Sequence, residues 1–263
     1  TPYAEIHTLK SHMFTAFTKQ DGNSSNGYTT QDVQNYISDI NNYLIAGNYA
    51  YAGFTGTGLP GLDSEVQAFC TSMGLTNVSY GGTSKNLCTD AVINAKPKIQ
   101  HINADIQATC GALCSGNPFD SGSAIMPLDW GENHEMGHNL QRERLKIYSG
   151  RSGEVSNNMF PLHTQWAWTV AKGLAKHPTQ DRPSNRSAFT LLQNAIKAGT
   201  AAGSSHPLWS GTGSYDNAFE RLAFYMQLAY TQQSWDLYTK LYLMERILTD
   251  AVKDTTGAKW NAV

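Results

Sequence analysis

Residues 129–141 read DWGENHEMGHNLQ, with His134 and His138 four positions apart and Glu135 directly after the first. On a helix, residues i and i+4 lie on one face about one turn apart. Both imidazoles can then aim a ring nitrogen at one cation, at the roughly 2.0–2.1 Å that zinc prefers. The helical period rotates Glu135 by roughly 100° from His134. It therefore flanks the ion, a position that suits a base acting on water. This is the H-E-x-x-H pattern, two ligands and a general base for metal-assisted hydrolysis.

The pattern alone arises by chance somewhere in such a chain with a probability of roughly 1 in 140. A catalytic zinc also needs a third protein ligand and an open position. Glu154, sixteen residues after His138, is the natural candidate. The intervening YSGRSG supplies a Gly-rich reversal that could return a second helix beside the first. Asn158 lies one turn beyond Glu154, where its side chain could bond a ring N–H of His134 or His138 and fix the imidazole. The alternative is an ordinary polar helix with two exposed histidines and a helix-start carboxylate. Gly137 weighs against it, because a glycine inside a helix costs about 1 kcal/mol. Its presence predicts that another stretch of chain passes close by.

Stepping outward, the elements that must position these groups fall into an α+β pattern. TTQDVQNYISDINNYLIAG carries apolar residues near the helical period, with Thr30 as a candidate cap. From about residue 61 to 128, pieces such as TNVSY and KIQHINADIQ alternate with turn residues and predict a small sheet. After Pro127 the chain reads as helical. Asp129 and Glu132 form a capping-box pattern, a second helix is predicted to kink at Pro161, and a late pair covers YDNAFERLAFYMQLAYT and SWDLYTKLYLMERILTDAV. The division is an N-terminal α/β lobe, residues 1–128, and a helical lobe, residues 129–263, with the His-Glu motif where they meet.

The chain has 263 residues, 40% of them apolar, and a net charge of −2. That argues against nucleic acid or an anionic membrane surface as the main partner, and no apolar run is long enough to span a bilayer. The opening TPYAEIHTLK has neither an initiator Met nor a signal-peptide pattern, which reads as a mature form or a domain excised from a longer chain. Cys110 with Cys114, and Cys70 with Cys88, are spaced for two disulfides and hence an oxidising compartment. Four unrelated buried thiols are the alternative. A four-cysteine zinc site does not fit, since only one close pair exists.

HEMGHNLQ, then GEVSNNMF, then FYMQLAYTQQSWDLYTKLY resemble the enhancin-like zinc metallopeptidases. That group includes secreted bacterial proteases acting on mucins and other O-glycosylated proteins. The similarity covers roughly residues 120–250 and is strongest to the immunomodulating-metalloprotease branch. It implies a gluzincin-type fold, one Zn2+ per chain held by His134, His138 and Glu154, Glu135 as general base, and a glycoprotein substrate. It further implies a secreted protein, here expected to be a monomer.

Such chemistry needs a second electrophile for the oxyanion. His206 and Tyr215 lie in loops suited to that role, with Tyr215 preferred. Tyr225 and Tyr230 sit on an apolar helical period and are expected to pack. His163, nine residues past Glu154, falls on the far side of an ideal helix and is discounted. Trp130 and Arg221 are candidates to line the cleft and bind a sugar, against plain packing and a solvated helix face. Three functions compete: a glycoprotein-directed zinc endopeptidase, a zinc peptidase indifferent to glycans, and a non-catalytic binding module with a retained metal. The intact Glu135 argues against the last.

Overall fold

A computed structural model describes residues 30–56, 59–80, 82–89, 100–102, 119–121, 130–174, 190, 192–194, 196–197, 205–232 and 234–246. Asp129, the Cys110–Cys114 pair and the loop at 178–187 lie outside these residues. So do the side chains of Glu132 and Tyr230.

Helix α1 (Thr30–Asp39) runs through a π-helical turn (Ile40–Ile45) into α2 (Ala46–Tyr51). Helix α3 (Ser64–Ser72) falls where the sequence predicted only sheet and turns. Its signal is Asp63, whose carboxylate accepts from the Val66 N–H at 2.8 Å and caps the first turn. Strands β1 (Val78–Tyr80) and β2 (Thr83–Lys85) pair antiparallel, and β3 (Gln100–Ile102) and β4 (Phe119–Ser121) pair parallel. The expected small sheet is thus two separate two-stranded pieces among the described residues.

The helical part holds α4 (Trp130–Leu140), α5 (Met159–Ala171), α6 (Ala218–Gln232) and α7 (Asp236–Glu245). The stretch DWGENHEMGHNLQRERLKIY predicts one helix running to Tyr148, but α4 stops at Leu140. Arg142 turns extended and a 3₁₀ turn follows at Glu143–Leu145. Pro161 does not kink a helix. It occupies the first turn of α5, where its missing N–H has no intrahelical partner to lose.

One cluster joins Leu44, Tyr49, Tyr51 and Phe54 to Met136, Phe160, Tyr225 and Tyr242, so the early helices belong to the same packed body as the late ones. The shape of these side chains is complemented by a buried polar node. Asn48 on α2 donates to Asn133 Oδ1 at 3.0 Å and accepts from Thr164 at 2.6 Å, tying α2, α4 and α5 together. Such satisfied polar contacts fix one packing of otherwise interchangeable apolar faces. The node sits next to His134 in sequence and so sets the rotation of α4.

A smaller cluster joins α3, Leu75, Leu87 and Leu243 of α7. There Cys70 and Cys88 form the expected disulfide. Closing a loop of that length stabilises the fold by about 3 kcal/mol through the unfolded chain's lost entropy.

Candidate metal centre

The two imidazoles emerge from α4 half-buried, and the third element reaches them by a tight path. Tyr148 takes a left-handed conformation at φ 53° and ψ 40°. The reversal thus turns on a tyrosine, unlike the Gly-based turn expected from YSGRSG. Such a conformation is costly for a bulky residue, and it is held by ring contacts with Trp209 at 5.6 Å and with Arg151 at 5.8 Å. Short 3₁₀ turns at Ser149–Ser152 and Ser156–Asn158 then carry Glu154 and Asn158 past α4.

That passage explains Gly137. A Cβ there would lie 2.4 Å from the Asn157 carbonyl oxygen and 3.0 Å from its carbonyl carbon and Cα. The close strand foreseen from the glycine is the segment of Asn157. Gly137→Ala should therefore lose about 1–3 kcal/mol to overpacking, against a propensity gain of about 1 kcal/mol. Urea denaturation checks this, and an alanine variant of raised stability would overturn the close approach.

Glu154 Oε2 lies 3.1 Å from Nε2 of His134 and 3.1 Å from Nε2 of His138. His134, Glu135 and His138 also offer donor atoms within 4.8 Å of one another. Of the two carboxylates Glu154 is the better third ligand, because Glu135 Oε1 stands 3.9 Å from His134 Nε2. Donors around a tetrahedral zinc at 2.0–2.1 Å are separated by roughly 3.3 Å. The buried Asn157 directs its amide nitrogen at the same two Nε2 atoms, 3.1 and 3.0 Å away, while its Oδ1 has no partner among the described residues. Three Lewis bases facing one point, with an unpartnered buried amide oxygen beside them, are the donors a cation site should present. The residues fit a divalent metal.

The imidazoles are oriented from behind. Asn158 donates from Nδ2 to the Glu154 carbonyl at 2.8 Å, which turns its Oδ1 toward His134 Nδ1 at 2.7 Å. His134 therefore carries its proton on Nδ1 and presents a lone pair on Nε2. The Gln141 amide nitrogen contacts His138 Nδ1 at 2.8 Å and donates to the Gly153 carbonyl at 3.2 Å, while its oxygen accepts from Ser156 at 2.7 Å. Sequence reasoning named Asn158 but missed Asn157, Gln141 and Ser156. Gln141 was reachable, since it lies three residues past His138 on the same helical face. Asn157 and Ser156 were not, because a 3₁₀ turn carries no apolar period to place them.

The charges suit this arrangement. Burial disfavours a proton on His134, but hydrogen bonds to Glu154 and Asn158 outweigh it and raise the pKa. The His134 and His138 rings beside it hold the Glu154 carboxyl far below its usual range. Glu154 is thus a carboxylate throughout the working pH range, as a ligand must be.

Tyr215 is exposed on its loop, yet it lies close enough to Glu154 and Glu135 to feel their charge. Partial burial and the Glu154 charge raise its pKa, so it stays protonated and able to donate. His206 is half-buried and accepts from the Leu208 N–H at 3.1 Å within its own turn. Trp130 packs partly against the main core. Tyr225 is a packing residue as expected. Its hydroxyl accepts from the Ile147 N–H at 2.9 Å and donates to the Leu145 carbonyl at 3.2 Å, and burial pushes its pKa to about 12. His163 stacks on Tyr51 at 4.3 Å, with burial lowering its pKa to about 3.

Arg221 requires a correction. The sequence offered it either as a group that binds a sugar or peptide carbonyl or as part of a solvated helix face, but it is fully buried. Its guanidinium donates to the carbonyls of Leu208, Arg151, Gly213 and Gly211. Those donors are not available to a substrate.

Two imidazoles and a carboxylate converging on one point, with a second carboxylate alongside, define a metallopeptidase-type centre, and the wider comparison agrees: the chain belongs to the Peptidase M60, enhancin and enhancin-like family, which it matches over residues 88–263. It is 37% identical over 226 residues to the immunomodulating metalloprotease of Pseudomonas aeruginosa, covering 82% of this chain and 23% of that protein. Two solved structures are similar to it. The IMPa metallopeptidase from Pseudomonas aeruginosa shares 36% identity at a TM-score of 0.59, covering 81% of this chain and 24% of the other. The complex of IMPa with an O-glycopeptide shares 34% at a TM-score of 0.59, covering 82% and 24%. The chain thus spans about a quarter of the length of these relatives. Among the described residues no helix is long and apolar enough to cross a membrane.

Proposed function

We propose that this chain is the catalytic part of a secreted zinc endopeptidase that hydrolyses peptide bonds in O-glycosylated proteins. The observation that carries the reading is the 3.1 Å approach of Glu154 Oε2 to both imidazole Nε2 atoms, with Glu135 alongside. His134, His138 and Glu154 would hold one Zn2+ per chain. When bound, the ion supplies Lewis acidity toward a water molecule and a peptide carbonyl.

The chain's own residues do the rest. Asn158 keeps the His134 ring in the ligating tautomer. Glu135 takes a proton from the water whose oxygen attacks the carbonyl carbon, and passes it to the amine nitrogen as the C–N bond breaks. The Tyr215 hydroxyl donates to the oxyanion that forms between those events. Trp130, at the start of the same helix, and His206 are assigned to the substrate side of the cleft. Residues 1–128 and 129–263 act as one peptidase domain that works as a monomer. The Cys70–Cys88 disulfide supports an oxidising, extracellular setting.

Glycan dependence is supported by the relative crystallised with an O-glycopeptide. The test is to incubate the protein with one O-glycoprotein before and after enzymatic removal of its O-glycans. Cleavage is expected only of the glycosylated form. Equal cleavage of both would replace this reading with a zinc peptidase indifferent to glycans.

A further inference from the structure

We propose that Arg221 is a positioning residue. From beneath, with Asp216 bracing from outside, it clasps the loop that carries Tyr215 to the turn that leads into Glu154. The proposal rests on the reading of Tyr215 as the group that donates to the oxyanion.

Arg221 sits in the first turns of α6 and is fully buried. Its Nε donates to the Leu208 carbonyl at 2.8 Å and its Nη2 to Gly211 at 3.2 Å. Its Nη1 is shared between Gly213 at 3.0 Å and Arg151 at 2.7 Å. Three of these four acceptors belong to the Tyr215 loop. The fourth belongs to the 3₁₀ turn that ends just before Glu154. One planar fork therefore joins the Tyr215 loop to the turn that leads into Glu154. The guanidinium carbon lies over the Trp209 ring, 5.4 Å from its centroid.

Burying a charge is costly unless hydrogen bonds replace its water, and this guanidinium obtains them from loop carbonyls. A lysine could not reproduce the contact, because an ammonium has three donors on a flexible stem and no planar fork. From the outer side, Asp216 Oδ2 accepts from the Gly213 N–H at 2.8 Å. Gly211 is required there, since a Cβ would lie 2.5 Å from the same carboxylate oxygen. Asn217, at φ 49°, donates to the Pro207 carbonyl at 3.0 Å and closes the loop on itself. Tyr215 is 71% exposed, so side-chain packing does not fix its place. The braced backbone does.

The experiment compares the metal-loaded chain with Arg221→Lys, Tyr215→Phe, the double variant and Asp216→Ala. Hydrogen exchange over 205–217, metal content, kcat and KM on an O-glycoprotein are measured. Arg221→Lys is expected to speed exchange in that loop about tenfold and to lower kcat about 10–100-fold, with KM and metal content little changed. In the Tyr215→Phe background the same substitution should cost less than about twofold more in kcat, because the two act on one step. Unchanged exchange, or an equal loss in both backgrounds, would overturn the proposal. Should Arg221→Lys fail to fold, Asp216→Ala decides the matter. Asp216 is exposed, and its loss should raise exchange in the same loop and lower kcat, both by smaller factors. If Tyr215→Phe turns over normally, the catalytic reading of Tyr215 fails, whereas the clasp is still judged by exchange.

Discussion

The Glu135→Ala protein is expected to hold its metal ion as the native chain does and to turn over substrate about 10²–10⁴-fold more slowly. The geometry separates the two carboxylates of the centre. Glu135 Oε1 stands 3.9 Å from His134 Nε2, while Glu154 Oε2 is 3.1 Å from both imidazoles. Removing Glu135 therefore leaves the three proposed ligands in place and deletes only the group assigned to accept the water's proton. Helix α4 does not depend on it for packing, since its buried face is carried by Asn133, Met136, Gly137 and Leu140. Elemental analysis and steady-state kinetics on one preparation check both halves of the expectation. Proteolysis at an undiminished rate would refute the assigned base, and loss of the ion would make Glu135 a ligand.

The second large effect belongs to Glu154→Ala, which should weaken metal binding by well over 100-fold and abolish turnover with it. Glu154 brings the only negative charge among the three converging donors, and the His134 and His138 rings beside it keep its carboxyl ionised. Without it, two neutral imidazoles remain, too few for a structural or catalytic zinc site. Asn158→Ala is the control. It leaves the ligands intact and frees only the His134 ring, so its affinity loss should fall in the 10–100-fold range typical of groups that orient a ligand. Competition with a chromogenic chelator measures all three proteins. Equal affinities for Glu154→Ala and the native chain would remove Glu154 from the site, and the hydrolytic reading with it.

The centre was legible in unequal parts, and the reasons are physical. The helical period places His134 and His138 on one face wherever α4 forms, so their convergence needs no knowledge of the remaining fold. Gly137 likewise announced a close neighbour, because a glycine within a helix is disfavoured unless space demands it. The late helices α6 and α7 were readable from their apolar repeat, as was the packing role of Tyr225. Helix α3 was hidden, since Asp63 is a weak cue amid Gly, Ser and Asn residues that suggest turns. The segment from Ser149 to Asn158 was read as a Gly-rich reversal running straight into a second helix. Its 3₁₀ turns and the left-handed Tyr148 have no periodic signature, and their stability comes from Trp209 and Arg151, contacts that cross the chain.

Arg221 shows the boundary most plainly. An arginine on an amphipathic helix is usually solvated, and nothing local distinguishes one that is buried. Its environment is created by carbonyls from residues 208, 211 and 213 and from residue 151, seventy positions away. What the chain's order by itself determined is the chemistry on offer: two imidazoles one turn apart, a flanking carboxylate, and a glycine that leaves room for a neighbour. Tertiary structure decided which carboxylate completes the set, which amides orient the rings, and which charge disappears beneath the loop. The first group depends on spacing along one helix, which the backbone period dictates. The second depends on where distant segments cross, and that follows from packing the whole core at once.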